Sequence, residues 1–531
     1  MNITVEKYDF NEGFENHIRT SKYPAIYILA NKTDVYIGET VDYIRRANEH
    51  RKDISKKKYR DMYLFHGDNI SVTLHFESML IRLMIADGKY KVNNGNNGLL
   101  WNEYYEKEKY ERIFDGLWMK LVEFDLVKNK VPSDILNLNL YLFSPFVSLN
   151  KDQEKSLNSM INGIELNEGR PIVINGEPGT GKTILGIYAL LYLRRKYPDK
   201  KIAFVIVDPM YTTLRKVFSC IPGLNRGDVI KPININEENE YDILICDEVH
   251  KFKRYKNLPN NRAFLDKLEK FKMDISHDEL DWVFYGSRQQ VIFYDKGQRV
   301  SPTGLHAPYV EERLMKMGQR KTELVSQLRV NGGGDYVKYI NLILNYKRVK
   351  KKTFKNYDFK LFTSFPEMVE AIHQKDSTEG LARLCAGYAW KWVTKKDKSQ
   401  DVFDIIIGDY QMRWNEDNKD WINSVNSINE MGSIHTVHGY DLNYAGVVIG
   451  PDLKYNVNTK SIEIDKDCFF DKKVYQRVGD EELAGYITRT YAVLLTRGIK
   501  GTYVFACDPD LRAYLAELIN CDVMGDVSGF D

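Results

Sequence analysis

The chain has 531 residues, 43% of them hydrophobic and 28% charged. That composition excludes global disorder, and the length allows roughly three or four domains. With 76 basic and 74 acidic residues the net charge is only +2, so any nucleic-acid footprint must be local. No apolar run approaches the ~18 residues of a membrane span, and the start, MNITVEKYDFNEGFENHIRT, has no apolar secretory core. The six cysteines form no C-x-x-C pair. A disulfide scaffold, a cysteine zinc site and a membrane partner are therefore not expected, and a reducing cytoplasm is.

The first element group is YPAIYILANKTDVYIGETVDYIRRANEH, residues 23–50. AIYIL and VYIG are short β-rich runs joined by Asn31, Lys32, Thr33 and Asp34, which is a hairpin signal. Thr40 or Asp42 can cap the helix that follows. Arg46 and His50 then fall four apart on one helical face. Glu77 opens an apolar helix in HFESMLIRLMIADGKY, and KVNNGNNG follows. Arg45, Arg46, Arg51, Lys52, Lys56, Lys57, Lys58 and Arg60 form a local basic cluster.

This block resembles the GIY-YIG nuclease family over residues 20–100. Ala25-Ile26-Tyr27 and Tyr36-Ile37-Gly38 stand for the two name-giving elements, with Ala25 in place of a glycine. Arg46 lies ten residues after Tyr36 and His50 fourteen after it. The resemblance implies a phosphodiesterase site in residues 1–105. Glu77 would hold a single Mg²⁺, with Mn²⁺ as an alternative, and Asn94 (or Asn93) would be the final asparagine. Arg46 would offset phosphate charge, and Tyr27, Tyr36 and His50 would move protons, the identity of the base being open.

Residues 106–142 are charged, aromatic and partly helix-periodic, and read as a packed helical connector. Beyond it come short apolar runs between helical stretches: PIVIN (171–175), IAFVIV (202–207), DILIC (242–246), VIFY (291–294), DIIIG (404–408), GVVIG (446–450) and TYVFA (502–506). Continuous apolar strands between helices predict parallel sheets buried on both faces. Seven of them over this length predict two α/β domains, 143–320 and 321–531. A second basic run spans Lys347 to Lys355.

The strand PIVIN leads into Gly176-Glu177-Pro178-Gly179-Thr180-Gly181-Lys182-Thr183 and then a helix. This is G-x-x-x-x-G-K-[ST] in its required strand–loop–helix setting. Gly176, Gly179, Thr180 and Gly181 would cradle phosphates, Lys182 would reach the β- and γ-phosphates of ATP, and Thr183 would ligate Mg²⁺. YDILICDEVH places Asp247 and Glu248 at the carboxyl end of a buried strand, where Asp247 would hold Mg²⁺ and Glu248 would orient water.

From about residue 143 to the end, the chain resembles a superfamily 1 helicase core, in particular the Schlafen-like DNA/RNA helicases. The resemblance implies further roles in order. Gln153 would read adenine. Asp295 and Gln298 in VIFYDKGQ would couple nucleotide to nucleic acid, in preference to the weaker match Ser287–Gln290. Gln327 and Arg329 in QLRVNGGGDYV would include a phosphate-contacting arginine. Gly439 and Asp441 would lie next to the nucleotide, with His435 and Thr436 near the strand and His438 departing from the usual Gln or Lys. Arg497 would act as an arginine finger.

The fold expectation is thus a small α+β nuclease domain followed by two RecA-like parallel-sheet domains. The functional expectation is an ATP- and Mg²⁺-dependent nuclease–helicase acting on nucleic acid, DNA favoured over RNA. Its setting would be anti-phage defence or mobile-element DNA processing, with a homo-oligomer or a defence-system protein as partner. A nucleotide-gated nuclease without translocation and an RNA-directed enzyme are the alternatives.

Overall fold

The computed structural model describes residues 4–11, 23–94, 107–132, 135, 149, 151–166, 169–177, 179–208, 210–221, 223–255, 262–295, 304–305, 307–324, 330–345, 349–416, 421–437, 440–471, 474 and 479–522. Two compact units emerge. One comprises Met1–Glu154, Ile187–Pro198 and Leu214–Val229, the other Lys155–Gly186, Asp199–Thr213 and Ile230–Asp531.

The first unit contains a five-stranded sheet of β1 (Val5–Asp9), β2 (Ala25–Ala30), β3 (Asp34–Thr40), β4 (Asp61–His66) and β5 (Lys91–Val92), ordered β1-β4-β2-β3-β5. The predicted hairpin is β2 against β3, antiparallel, with Tyr27 opposite Gly38. Its turn is held by the Asn31 carboxamide oxygen, which accepts from the Thr33 and Asp34 N–H groups at 2.9 and 2.7 Å. Strand β2 is central, which is why AIYILA is buried at every position. Its Ala25, Tyr27 and Leu29 pack with Tyr43, Ala47, Tyr59, Met62 and Leu64.

Among the described residues, helices α1 (Tyr43–Lys52), α2 (Ile70–Asp87) and α3 (Lys107–Glu123) accompany the sheet. Asp42 caps α1 by accepting from the Arg45 N–H, and Thr40 in turn accepts from the Asp42 N–H, each at 3.0 Å. Helix α2 begins well before the expected start. Asn69 is its N-cap, so Glu77 sits in mid-helix rather than at the amino end. The first polar residues of α2 hide its start, because the apolar density rises only after Phe76. Within residues 106–142, α3 covers Lys107–Glu123, and residues 133–134 and 136–142 lie outside the described residues.

The second unit holds two parallel-sheet layers. Helix α4 (Lys151–Glu165) precedes the first of them and bridges the two units' boundaries in sequence. That sheet has the order β11-β6-β10-β9-β7-β8, from β6 (Ile172–Gly176), β7 (Ile202–Val205), β8 (Val229–Ile230), β9 (Tyr241–Cys246), β10 (Ser287–Tyr294) and β11 (Arg320–Leu324). The strands β11, β6, β10, β9 and β7 pair in parallel. Helices α5 (Lys182–Lys196), α6 (Met210–Cys220), α7 (Arg262–Lys270), α8 (Glu279–Gly286) and α9 (Ala307–Lys316) connect them. Leu244, Ile292, Phe264, Trp282 and Leu314 belong to one core on this sheet. Two details go beyond the sequence reading. Strand β10 starts at Ser287, so Gln289 and Gln290 are buried strand residues, and the competing Ser287–Gln290 match is structural. Strand β11, RKTEL, carries the first sheet past residue 320.

The second sheet has eight strands in the order β14-β15-β16-β13-β17-β20-β12-β21. They are β12 (Asp358–Phe362), β13 (Ala382–Ala386), β14 (Ile405–Ile407), β15 (Tyr410–Trp414), β16 (Glu430–Ser433), β17 (Leu442–Ile449), β20 (Gly498–Ala506) and β21 (Asn520–Asp522), with β18 (Leu453–Asn456) and β19 (Ser461–Ile464) forming a separate ribbon. Helices α10 (Gly333–Leu344), α11 (Phe365–Glu379), α12 (Ile434–Val437), α13 (Asp480–Leu495) and α14 (Pro509–Ala516) complete the unit. DIIIG is a correction. It forms the edge strand β14, antiparallel to β15, with Ile406 58% exposed, and not a buried parallel strand. The other pairings in this sheet are parallel. The chain is therefore α/β, with two RecA-like parallel-sheet domains. Among the described residues, no helix is long and apolar enough to cross a membrane.

Candidate functional site

Strand register builds the nucleotide-binding side. In the first sheet, Tyr294 of β10 aligns with Asn175 of β6, and Ile292 of β10 with Cys246 of β9. Three adjacent strands thus end close together, bringing residues that follow them, Glu177, Lys182, Asp247 and Asp295 among them, to one carboxyl edge. Ligands bind at such edges. Gly179 and Gly181 have φ of 81° and 78°, a left-handed backbone that a side chain would strain. Thr180 donates to the Glu177 carbonyl at 2.9 Å and closes the loop.

Lys182 is buried. Its Nζ donates to the carbonyls of Gly176 (2.6 Å) and Glu177 (2.9 Å) and lies 3.6 Å from Asp295 Oδ2. Thr183 Oγ1 donates to Asp247 Oδ2 at 2.6 Å, so the two oxygen ligands expected for Mg²⁺ already touch. Burial and the neighbouring Glu248 push the Asp247 carboxyl up, while the Thr183 hydroxyl and Lys182 pull it back. A hydroxyl and a buried carboxylate at the first turn of a helix fit a hard, oxygen-preferring cation. Glu248 adopts φ 55°, ψ 39° and contacts Lys251 at 2.6 Å and His250 at 3.3 Å.

In the second sheet, Leu442 of β17 aligns with Gly498 of β20. Asp441 and Arg497, which precede these residues, therefore share one amino edge. Arg497 is buried and donates from Nη1 to the Tyr440 carbonyl at 3.3 Å. The Tyr440 and Thr213 hydroxyls are 2.9 Å apart. His435 of α12 is 2.7 Å from Asp471, and Thr436 bonds Ser433 at 2.9 Å. Gln153 lies buried on the first turn of α4. Gln298, Gln327, Arg329, His438 and Gly439 lie outside the described residues.

In the first unit, Tyr27 of β2 meets Arg46 and His50 of α1. Tyr27 hydroxyl and His50 Nε2 are 2.8 Å apart, and Arg46 Nε donates to the same hydroxyl at 3.4 Å. The Tyr36 ring lies 5.3 Å from the His50 ring and 6.2 Å from that of Tyr27. Burial and the charges of Arg46 and Lys56 lower His50 to about 4, leaving a neutral imidazole at physiological pH. Burial raises the Tyr27 phenol. Gly38 faces Tyr27 so closely that an added Cβ would fall 2.3 Å from its hydroxyl. Asn94 is committed to the backbone of β3, accepting from the Ile37 N–H (3.0 Å) and donating to the Ile37 carbonyl (2.5 Å). Asn93 instead bonds Asp34.

Two neighbours escaped the sequence reading. Glu39 lies beside Glu77. Burial and Glu39 push Glu77 up to about 7, against the pull of the Glu39 backbone N–H and Arg46. Glu39 Oε2 is itself a buried oxygen with no hydrogen-bond partner. Two crowded carboxyls, one unsatisfied, fit a divalent cation. Lys56 Nζ sits 3.0 Å from the Tyr36 ring centroid and is lowered to about 8 by burial. The available signals were a glutamate within a buried strand and a lysine in the basic cluster. Several other cluster charges are paired locally: Arg45 and Arg46 with Glu49, and Lys58 with Asp34.

Comparison with known proteins places residues 170–508 in the Schlafen group 3 DNA/RNA helicase domain, well over half of the chain. The chain belongs to the Schlafen group 3 helicase family. Membership in a DNA/RNA helicase family implies an NTPase fold, with ATP and usually Mg²⁺ as its ligands. A 170-residue stretch is 32% identical to an uncharacterized protein of Saccharomyces cerevisiae, covering 30% of this chain and 37% of that protein. The chain thus spans little more than a third of that relative's length. Among solved structures, the chain is similar to the Pif1 helicase from Candida albicans (14% identity, 70% of this chain and 97% of that one, TM-score 0.30). It is also similar to the DUF1998 helicase MrfA bound to DNA (9% identity, 72% and 54%, TM-score 0.31).

Proposed function

We propose that the chain is an ATP-dependent nuclease–helicase, in which a GIY-YIG-type site in residues 1–105 cuts phosphodiester bonds and the helicase domain translocates on the nucleic acid, DNA in preference to RNA. The observation that carries the nuclease reading is the contact of Tyr27, His50 and Arg46 within reach of the Glu39–Glu77 pair. Water attacks phosphorus and its proton passes to the Tyr27 oxygen as Tyr27 gives its own to His50 Nε2. The P–O bond then breaks, and the departing oxygen takes a proton from solvent. Arg46 offsets the charge that grows on the phosphate. Glu77, with Glu39 beside it, would hold a divalent cation that, when bound, supplies further charge neutralisation.

On the motor side, Lys182 and the loop 176–181 bind the ATP phosphates, Thr183 and Asp247 hold Mg²⁺, Glu248 orients water, and Arg497 and Arg329 offset transition-state charge. Gln153, Gln298, Gly439 and Asp441 complete the nucleotide site. The pairing of cutter and motor favours a role in defence against foreign DNA or in mobile-element processing. Unchanged phage plating after gene deletion, across a broad panel, would remove that setting.

The deciding experiment is plasmid cleavage in Mg²⁺, with and without ATP, by wild type, Glu77→Ala and Lys182→Ala. Nicking by wild type that Glu77→Ala loses is expected. No cutting of DNA or RNA by wild type under any nucleotide condition would overturn the nuclease reading and leave the helicase domain as the chain's activity.

A further inference from the structure

The departing oxygen of the cleavage step takes its proton from solvent, yet a cationic side chain beside the site has no part in that step. Lys56 ends a short 3₁₀ turn, Ile54–Lys56, that follows α1. Backbone hydrogen bonds tie this turn to the helix that carries His50. The Asp53 N–H donates to the His50 carbonyl at 3.1 Å, and the Lys56 N–H donates to the Asp53 carbonyl at 3.0 Å. The Asp53 carboxylate caps the turn by accepting from the Ser55 N–H at 2.9 Å. On the other side, the N–H of buried Tyr59 donates to the Lys56 carbonyl at 3.1 Å. Consecutive main-chain bonds therefore fix Lys56 relative to His50.

The rest of the basic cluster is paired or held in water. Arg45 and Arg46 meet Glu49, Lys58 meets Asp34, and Arg51 donates to the Phe10 carbonyl. Lys52, Lys57 and Arg60 are exposed. Lys56 is half-buried, and among the described residues its ammonium has no hydrogen-bond or ion-pair partner. It sits instead over the Tyr36 ring, 3.0 Å from the centroid, and that ring lies 5.3 Å from His50 and 6.2 Å from Tyr27. The cation is thus one ring away from the Tyr27–His50 pair, beside it and not bonded to it. In-line displacement puts the attacking and leaving oxygens on opposite sides of phosphorus. The group that takes the water's proton and the group that protonates the leaving oxygen must then stand apart. Burial lowers Lys56 to about 8, with Lys58 and Arg46 adding to the shift against Asp53. The ammonium is charged at neutral pH and close to the acidity at which a proton donor works best. Arg46 stays charged throughout and cannot release a proton.

We propose that Lys56 is the general acid of phosphodiester cleavage, donating an Nζ proton to the oxygen that leaves phosphorus. This rests on the nuclease reading of residues 1–105, and it adds the residue that completes the proton transfers. The water oxygen bonds to phosphorus as its proton passes to Tyr27 and Tyr27 gives its own to His50. The bond from phosphorus to the leaving oxygen breaks, its electron pair stays on that oxygen, and the oxygen takes the proton from Lys56. The neutral amine is then recharged from solvent and His50 releases its proton to solvent, so the leaving oxygen's proton still originates in solvent.

The test is single-turnover cleavage in Mg²⁺ by the full chain, for wild type, Lys56→Met and Lys56→Arg. The substrates are an ordinary DNA duplex (or its RNA counterpart, should wild type cut only RNA) and two versions in which sulfur replaces the 3′- or the 5′-bridging oxygen of the linkages that wild type cuts. Sulfur departs as a thiolate and needs no proton. Lys56→Met keeps the apolar stem over Tyr36. It should slow cleavage of the ordinary duplex by about 100- to 10,000-fold, yet cut one of the sulfur-bridged duplexes at close to the wild-type rate. Lys56→Arg keeps the charge but holds its proton, and should behave in the same way. Recovery on sulfur also reports an intact fold, because an unfolded site cuts none of the three. Rescue of ordinary cleavage by Lys56→Arg overturns the general acid and leaves only a charge beside Tyr36. A loss equally deep on all three duplexes in both variants overturns it as well. No cutting of DNA or RNA by wild type overturns the nuclease reading itself, and the role of Lys56 with it.

Discussion

The hydroxyls of Tyr440 and Thr213 lie 2.9 Å apart in a buried bond, one belonging to the segment that meets Arg497, the other to helix α6 after strand β7. The bond ties the amino edge of the eight-stranded sheet to the six-stranded one. Removing one hydroxyl strands the other in the interior, which costs about 1–3 kcal/mol, whereas removing both costs less. Tyr440→Phe and Thr213→Val should each slow ATP hydrolysis several-fold, and the double variant should be no worse than either. Additive losses in such a cycle would mean that the hydroxyls act separately.

Lys182 rests on two carbonyls of its own loop and near Asp295, a position it must leave to meet phosphate. Lys182→Ala should reduce ATP turnover by ~100-fold or more, because a fixed charge on the phosphates is lost. Steady-state ATPase assays, with circular dichroism as the folding control, check this.

Glu77 is held at about 7, above the ordinary glutamate value of 4.5, by burial and by Glu39. Its folded-state pKa is raised, so the associated stability is present below pH ~4.5 and is lost as pH rises through ~7. Glu77→Gln should therefore leave melting at pH 4 nearly unchanged and stabilise the first unit at pH 8 by about 1–2 kcal/mol, visible by calorimetry.

The same group sets an expected pH profile for cleavage. Ionised Glu77 is the form that can hold a cation, so the rate should climb between about pH 6 and 8. His50, lowered to about 4, is already neutral there and should not contribute. Glu39→Gln should move the acid limb to lower pH by removing the repulsion. An unmoved limb would assign the titration to another group.

Gly38→Ala would drive a methyl into the phenol of Tyr27, whose ring is fully enclosed and has no room to retreat. A loss of about 1–3 kcal/mol is expected from overpacking, together with a displaced Tyr27–His50 contact. Thermal melts and cleavage assays on the same preparation would register both.

The apolar strands β6, β7, β9, β17 and β20 were legible because a strand buried on both faces cannot afford polar residues. Strand β11 was not, since RKTEL is an edge strand with only Leu324 buried. Nor was β16, EMGS, where Glu430 is buried but accepts from the Trp421 indole at 2.6 Å. The P-loop and the Arg46–His50 pair were readable because each depends on fixed local spacing, along one turn or one helix face, whereas the strand residue Tyr27 is brought to that pair by the packing of β2 on α1. Glu39, Tyr440 and Thr213 were not, because their partners are distant in sequence and are supplied only by sheet register.

The left-handed backbone at Glu248 sets evolution two opposing tasks at a single residue. Glycine there would relax the torsion and stabilise the fold, yet remove the carboxylate. Selection for folding alone would therefore drift this position toward glycine or asparagine. On the proposed reading of Glu248 as the residue that orients water, a glutamate kept there in spite of its torsion would mark lineages that still hydrolyse nucleotide, and glycine in its place would mark those that no longer do.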